Sequence, residues 1–298
     1  MQRKAHLDAL AIGLLVVCCV VWGGQQVLAK ATLGEIPPIF QASLRLAGAT
    51  VLLVLWCALR RIPLFKFDGT LGPGLLVGAL FASEFAFLFS ALSLSSASRA
   101  TLLLYTSPFW VASLLPLIIK SEKLRVPQWA GMLLAFLAVM FVLREGVGQG
   151  ANPQQWKGDL FALAGGMCWG LTTVAIRATR LMTVSAEKLL FYQLAFGAIS
   201  LPLLSLLLGE QWVWRWSIFA TVSLALQTVV AAFMSYLLWM WMLGRYPATR
   251  LSVFVFLTPI FALLFGALWL NEQVSINLLA GFALVGAGIV LVNRKPTV

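Results

Sequence analysis

An all-α membrane protein, with ten transmembrane helices arranged as two inverted five-helix repeats, is the fold the sequence predicts. Three observations carry that expectation: an apolar composition, a Lys and Arg count that alternates from loop to loop, and a match between the two halves of the chain. Of the 298 residues, 61% are hydrophobic and only 10% are charged, with a mean hydropathy of +0.95. An ordinary soluble domain carries about 25% charged residues, so most side chains here never meet water. No polar segment is long enough for a soluble domain. The opening "MQRKAHLD" leads into apolar sequence without a small-residue cleavage site, so the first run is expected to be a retained helix.

A helix needs about 20 apolar residues to cross the hydrocarbon. Runs of that kind lie near 9–29, 39–58, 71–94, 99–119, 127–143, 158–178, 187–208, 218–243, 249–270 and 275–292. Breakers separate them in order: Gly34, Pro37 and Pro38 after the first; Pro63, Asp68 and Gly69 after the second; Pro127 before the fifth. Gly148 to Pro153 divides the fifth from the sixth, Gly209 follows the seventh, and Pro247 follows the eighth. The four cysteines, Cys18, Cys19, Cys57 and Cys168, fall inside apolar runs with no C-x-x-C pair, which indicates neither a disulfide framework nor a zinc site.

The net charge of +11 forms no stripe or tail that would suit nucleic acid; the charges sit in short loops, where they report orientation. With the N-terminus inside, fifteen Lys and Arg fall on the inner side and five on the outer, Arg45 being the remaining one of 21. The outer five are Lys30, Arg99, Arg144, Lys157 and Arg215. A three-to-one bias that alternates through ten crossings places both termini in the cytoplasm. The expected location is a plasma membrane, the inner membrane of a bacterial cell.

The halves also match one another. "ASRATLLLYTSPFWVASLLPLIIKSEKLRVPQWAG" from Ala97 aligns with "ATRLSVFVFLTPIFALLFGALWLNEQVSINLLAG" from Ala248, pairing Arg99 with Arg250, Pro108 with Pro259 and Glu122 with Glu272. Upstream, "VWGG" at Val21 matches "CWGL" at Cys168, and "RLAGA" at Arg45 meets "QLAFGA" at Gln193. Each repeat, residues 1–147 and 148–298, holds five spans. Because five is odd, the second copy enters the membrane from the opposite side, as in inverted-repeat transporters with a midplane site at the repeat interface.

Ten helices in two inverted halves, Trp-Gly late in each first helix, and a Pro-containing fourth helix ending in Glu ("SEK", "NEQ") resemble the drug/metabolite transporter superfamily and its EamA-like branch. Within that branch, the Trp- and Phe-rich helices are similar to the YddG-type exporters of aromatic and other neutral amino acids. The resemblance covers the whole chain. It implies efflux of small metabolites through a central cavity lined by helices 1, 3, 4, 6, 8 and 9.

Polar groups inside spans mark where chemistry would sit. Glu84, in "FASEFAF", lies near the centre of the third span, where an acid costs about 2.5–3.5 kcal/mol on insertion scales, and so should face the bundle interior. Two uses are open: carrying a proton or contacting a substrate ammonium, or pairing structurally with Arg45. Its repeat counterpart is Ser235, so the acid breaks the symmetry. Arg45 and its counterpart Gln193 read first as a hydrogen-bonding position common to both halves.

Gln25 and Gln26 follow Trp22-Gly23-Gly24 on the first helix, and Trp169 precedes Gly170 on the sixth, with Thr172 and Thr173 a turn on. Tyr105 is on the fourth helix, and Gln227, Tyr236 and Trp239 are on the eighth. Amide and phenol groups in a bilayer need partners, which a watered cavity supplies. The substrate-binding candidates are therefore Trp22, Gln26, Glu84, Tyr105, Trp169, Gln227, Tyr236 and Trp239, with belt aromatics or interhelical glue as the alternative. Trp212, Trp214 and Trp216, in a loop, suit the interfacial belt.

Pro108 and Pro259 interrupt matching helices and are the gating candidates, a fixed packing kink being the other reading. Small residues on the fifth and tenth helices, among them Gly131 and Ala283, suit close packing in a monomer or a contact in a homodimer.

No catalytic residue, metal site or cofactor is expected. H-E-x-x-H and G-x-S-x-G are absent and the one histidine, His6, lies in the N-terminal tail, which argues against an intramembrane enzyme. G-x-x-x-x-G-K-[ST] is absent as well, leaving gradients as the energy source. A passive channel needs a ring of like groups around one axis, which two inverted halves do not supply. The expected partners are a small amino-acid-like substrate and the lipid bilayer. Other metabolites or drugs of the superfamily are the alternative cargo.

Overall fold

Backbone N–H and C=O groups inside lipid must be paired within the chain, so apolar runs of this length become helices. A computed structural model describes residues 8–118, 153–246 and 257–293, with positions 126, 129–131, 133, 134, 137, 251 and 255 besides. Among the described residues, seven helices of 22 to 28 residues are long and apolar enough to cross a membrane. They are α1 Ala9–Ala31, α2 Pro38–Arg60, α3 Leu71–Leu94, α4 Ala97–Ile118, α5 Gln155–Ala178, α6 Ala186–Leu207 and α7 Ile218–Arg245. Two further helices are α8, Leu257–Leu270, and α9, Ile276–Asn293. No strand occurs among the described residues.

These helices fall on nine of the expected runs, α5 being the sixth and α9 the tenth. The fifth run, 127–143, lies mostly outside the described residues, as do Glu122 and much of the stretch before α8.

Two helices depart from a uniform α-helix. α4 is interrupted at Tyr105 and Thr106, between Ala97–Leu104 and Ser107–Ile118. Pro108 has no N–H to offer Leu104 C=O four residues back, which loosens the ladder at that point. α7 carries a nine-residue π-helix, Gln227–Ser235, between α-helical Ile218–Leu226 and Tyr236–Arg245. Wide i→i+5 turns inside α-helices are frequent at functional sites.

Most of the interior is one apolar cluster running through α1 to α7 and reaching Leu278 of α9, with a small second cluster of Ile36, Phe40 and Ala220. α3 packs along α5 and α6, α2 along α6, α1 along α8, and α5 against both halves of α4. Small residues set the close approaches. A Cβ on Gly74 would lie 2.6 Å from the Tyr192 ring, and one on Gly78 would lie 2.6 Å from Phe196 Cβ, so α3 and α6 meet through a Gly-x-x-x-Gly face. Large apolar side chains such as Leu59, Ile199, Leu203 and Leu207 are exposed, as a lipid-facing surface requires.

Charged groups sort by end. The loops that the Lys and Arg count places outside meet one another. Glu35 accepts from Ser217 N and Oγ at 2.6 and 2.7 Å. Glu210 accepts from Ile39 N and Phe40 N at 2.9 and 2.7 Å. Glu272 accepts from Ala97 N at 2.6 Å and also from the Ser98 backbone and hydroxyl. Each acid thus caps the orphan donors at the start of another helix, where the helix dipole favours negative charge.

At the other end, Lys188 Nζ donates to Asp68 Oδ2 and Lys66 O, both at 2.6 Å, and Tyr246 Oη donates to Asp8. Hydrogen bonds from Lys188 and Thr70 hold the Asp68 carboxyl down at about 2. A folded value below the ordinary one means the stabilisation is complete above the usual carboxylate range and is lost only as pH falls toward 2. This clasp is therefore constant near neutral pH.

Candidate functional site

Trp22, Gln25 and Gln26 share the last turns of α1, and all three reach a cavity between the helices. From α3 come Phe81, Glu84, Phe85 and Leu88, spaced three and four apart along one helix face. α5 contributes Trp169, Thr172, Thr173 and Ile176, and α6 contributes Gln193. Tyr105 reaches the cavity from the break in α4, and Tyr236, Trp239, Met240 and Leu243 line it from the α-helical turns after the π-helix. The space, counting its open mouth, is ≈ 670 Å³.

Two aromatic groups form the walls. Trp22 stands edge-on to Trp239 with centroids 5.5 Å apart, while Phe81 and Phe85 lie 5.9 and 6.3 Å from Tyr236. Tyr105 meets Trp169 edge-to-face at 4.9 Å. Trp22 Nε1 donates to Ser235 Oγ at 2.7 Å, which fixes the ring and ties α1 to the end of the π-helix.

Seven of the eight residues expected to bind substrate thus share one cavity. Gln227 does not reach it: its Nε2 donates to Ser223 Oγ at 3.1 Å on the same helix. Of the gating candidates, Pro108 begins the second half of α4 just past Tyr105, and Pro259 is buried in the first turn of α8. The lining also differs from that implied by the resemblance. α6 supplies Gln193, and among the described residues the ninth span supplies none.

Arg45 does not pair with Glu84. Fully buried on α2, it donates from Nη2 to Tyr236 Oη at 2.7 Å and lies over the Phe85 ring at 4.8 Å. Its Nε and Nη1 have no hydrogen-bond partner, nor do Glu84 Oε2, Gln25 Oε1, Gln26 Oε1 and Gln193 Nε2. Sequence reasoning read Arg45 first as a hydrogen-bonding position and named Glu84 as a charged partner; the partner is a phenol. The "RLAGA"–"QLAFGA" match was the signal that Arg45 and Gln193 belong together, since both now lie at or beside the cavity.

Membrane-spanning helices around an internal cavity of aromatic, amide and acidic groups define an integral-membrane transporter. The chain belongs to the EamA-like transporter family, which matches it twice, over residues 9–144 and 156–294. It is 28% identical to an uncharacterised transporter of Archaeoglobus fulgidus, with 99% of each chain covered. It is also similar to proteins named probable amino-acid metabolite efflux pumps. One, from Salmonella typhimurium, is 28% identical over 93% of this chain and 92% of its own; the other, from Escherichia coli, is 27% identical over 94% and 91%. A solved crystal structure with 20% identity superposes with a TM-score of 0.72, covering 96% of this chain and 97% of that one, a likeness of fold. The protein is a transporter and not an enzyme.

Proposed function

We propose that the protein exports small neutral or zwitterionic metabolites, chiefly aromatic and other neutral amino acids, by alternating access through the central cavity. The single observation that carries this is the lining: flat aromatic walls beside a few buried amides and one carboxylate, Glu84, which suit an apolar side chain and a polar head in one molecule. The names of the Salmonella and Escherichia relatives point the same way. Phosphorylated cargo fits less well, because phosphate calls for several Arg or Lys and Arg45 is the one cation beside the described lining.

The same reading takes the chain as ten spans in two inverted repeats, 1–147 and 148–298, in a bacterial inner membrane with both termini cytoplasmic. Contacts of two glycines support it. A Cβ on Gly23 would meet Phe261 Cβ and Thr258 O; one on Gly170 would meet Trp110 Cβ and Ser107 O. The glycines correspond in the two halves, and so do their partners. Trp22, Gln26, Glu84, Tyr105, Trp169, Tyr236 and Trp239 form the site in this reading, and Pro108 and Pro259 mark where the helices open.

Counterflow in proteoliposomes tests it. Labelled phenylalanine or leucine should enter saturably and faster against the unlabelled amino acid inside; linear, unstimulated flux would indicate a channel and overturn it. Glu84→Gln should reach the membrane at wild-type level yet change the rate or its dependence on pH. Identical transport across roughly pH 5.5 to 8 would remove Glu84 from the mechanism.

A further inference from the structure

Buried polar atoms are almost always hydrogen-bonded, and each exception calls for an explanation. Here four of the exceptions belong to residues that line the one cavity, and they sort by type. Three acceptors line the cavity without partners: Gln25 Oε1, Gln26 Oε1 and Glu84 Oε2. Their side chains belong to residues only 4%, 3% and 6% exposed, so water does not reach these atoms freely. A primary ammonium carries three N–H donors and no acceptor, which matches that set in number and sign.

The donors gather around a different residue. Arg45 Nη2 donates to Tyr236 Oη, so the phenol's own proton is left to point elsewhere, and the adjacent guanidinium strengthens it as a donor. Gln193 Nε2, unpartnered and lining the same cavity, is a second donor. Its helix comes close to Arg45: a Cβ on Gly197, one turn further along α6, would lie 2.5 Å from Leu46, the neighbour of Arg45. A carboxylate accepts only, through two oxygens.

Resting on the proposed amino-acid transport, we infer that the cavity holds the α-ammonium and the α-carboxylate of a free amino acid at two separate poles. The ammonium sits among Gln25, Gln26 and Glu84. The carboxylate sits on the Tyr236 hydroxyl and Gln193 Nε2, with Arg45 behind the phenol as a positioning residue. The unpartnered atoms are then the empty half of a zwitterion site. A site built on such donors and acceptors rejects analogues that lack the matching group, because its own buried groups are left unpaired.

The test is ligand-dependent thermal stabilisation of the purified full-length transporter. Phenylalanine and leucine are compared with their decarboxylated amines and deaminated acids. Wild type should bind each amino acid roughly tenfold or more tightly than either analogue. Tyr236→Phe should weaken the amino acid and the acid but spare the amine; Glu84→Gln should weaken the amino acid and the amine but spare the acid. Gln193→Leu repeats the first pattern if Tyr236→Phe does not fold. Analogues that bind as well as the amino acid, or variants that weaken all three ligands alike, overturn the two-pole site and leave amino-acid transport standing. Binding of none of them by wild type overturns both.

Discussion

Arg99→Met is expected to lower the stability of the folded transporter by about 3–5 kcal/mol, the usual cost of stranding a buried charge. Asp159 on α5 is fully buried, and Arg99, in the first turn of α4, holds both its oxygens: Nε donates to Oδ1 at 2.7 Å and Nη2 to Oδ2 at 2.8 Å. Ser95 Oγ adds a weaker contact to Oδ1 at 3.3 Å. Removing the guanidinium leaves a carboxylate in an apolar interior with one hydroxyl for company. Asp159→Leu removes the carboxylate that both Arg99 nitrogens hold and should also lower the thermal midpoint. The double variant, Arg99→Met with Asp159→Leu, should regain most of the loss, because apolar groups of similar volume replace buried pairs at little net cost. Thermal midpoints followed by fluorescence-detected size exclusion read all three. A single variant that melts with wild type would show that the pair contributes nothing.

Valine at Gly23 or Gly170 should cut transport roughly tenfold or more, through one steric cause acting at two places. At Gly170 the new Cβ would lie 2.5 Å from Trp110 Cβ and 3.0 Å from Ser107 O; at Gly23 it would lie 2.7 Å from Phe261 Cβ and 2.9 Å from Ala262 N. Backbone atoms stand among those neighbours, so rotation of a side chain gives no relief and the helices must part. Each glycine follows a cavity tryptophan, Trp22 or Trp169, so the displacement reaches the lining directly. Gly13→Ala is the control, since nothing lies within 4 Å of its added carbon. Uptake in proteoliposomes, normalised to folded protein, separates lost transport from lost protein. Wild-type uptake in both valine variants would mean the close approaches have no part in the cycle.

The spans were legible because a bilayer imposes a length and an apolar composition that few other environments do, and seven helices fall where those two properties place them. Trp22, Trp169 and Tyr236 were legible for a related reason: polar aromatics deep in a span need a cavity or a partner, and the cavity supplies it. Arg45 was less so, since the sequence lists charges and cannot say that a phenol 191 residues away will take one. Glu272 was noticed as the end of a motif, but its use as a cap on α4 follows from where the chain folds back, and spacing does not encode that. Gln227 was placed in the site because an amide in a bilayer needs a partner, and the partner is Ser223 on its own helix.

The π-helix breaks the phase of α7, and the break has a use. In a uniform α-helix Val229, seven residues before Tyr236, would share its side. Instead Val229 is 40% exposed while Gln227 is fully buried. α7 therefore carries two phases joined by surplus chain. Its first half is fastened to α1 and α2, through Ser223 to Leu28 O and through Thr228 seated on Gly48. Its second half packs against α6 and carries Tyr236, held by Arg45, among the cavity rings. Slack of this kind would serve as a swivel: moving the wide turn by one position would re-aim the stretch from Tyr236 to Leu243 while the ends of the helix stayed in place.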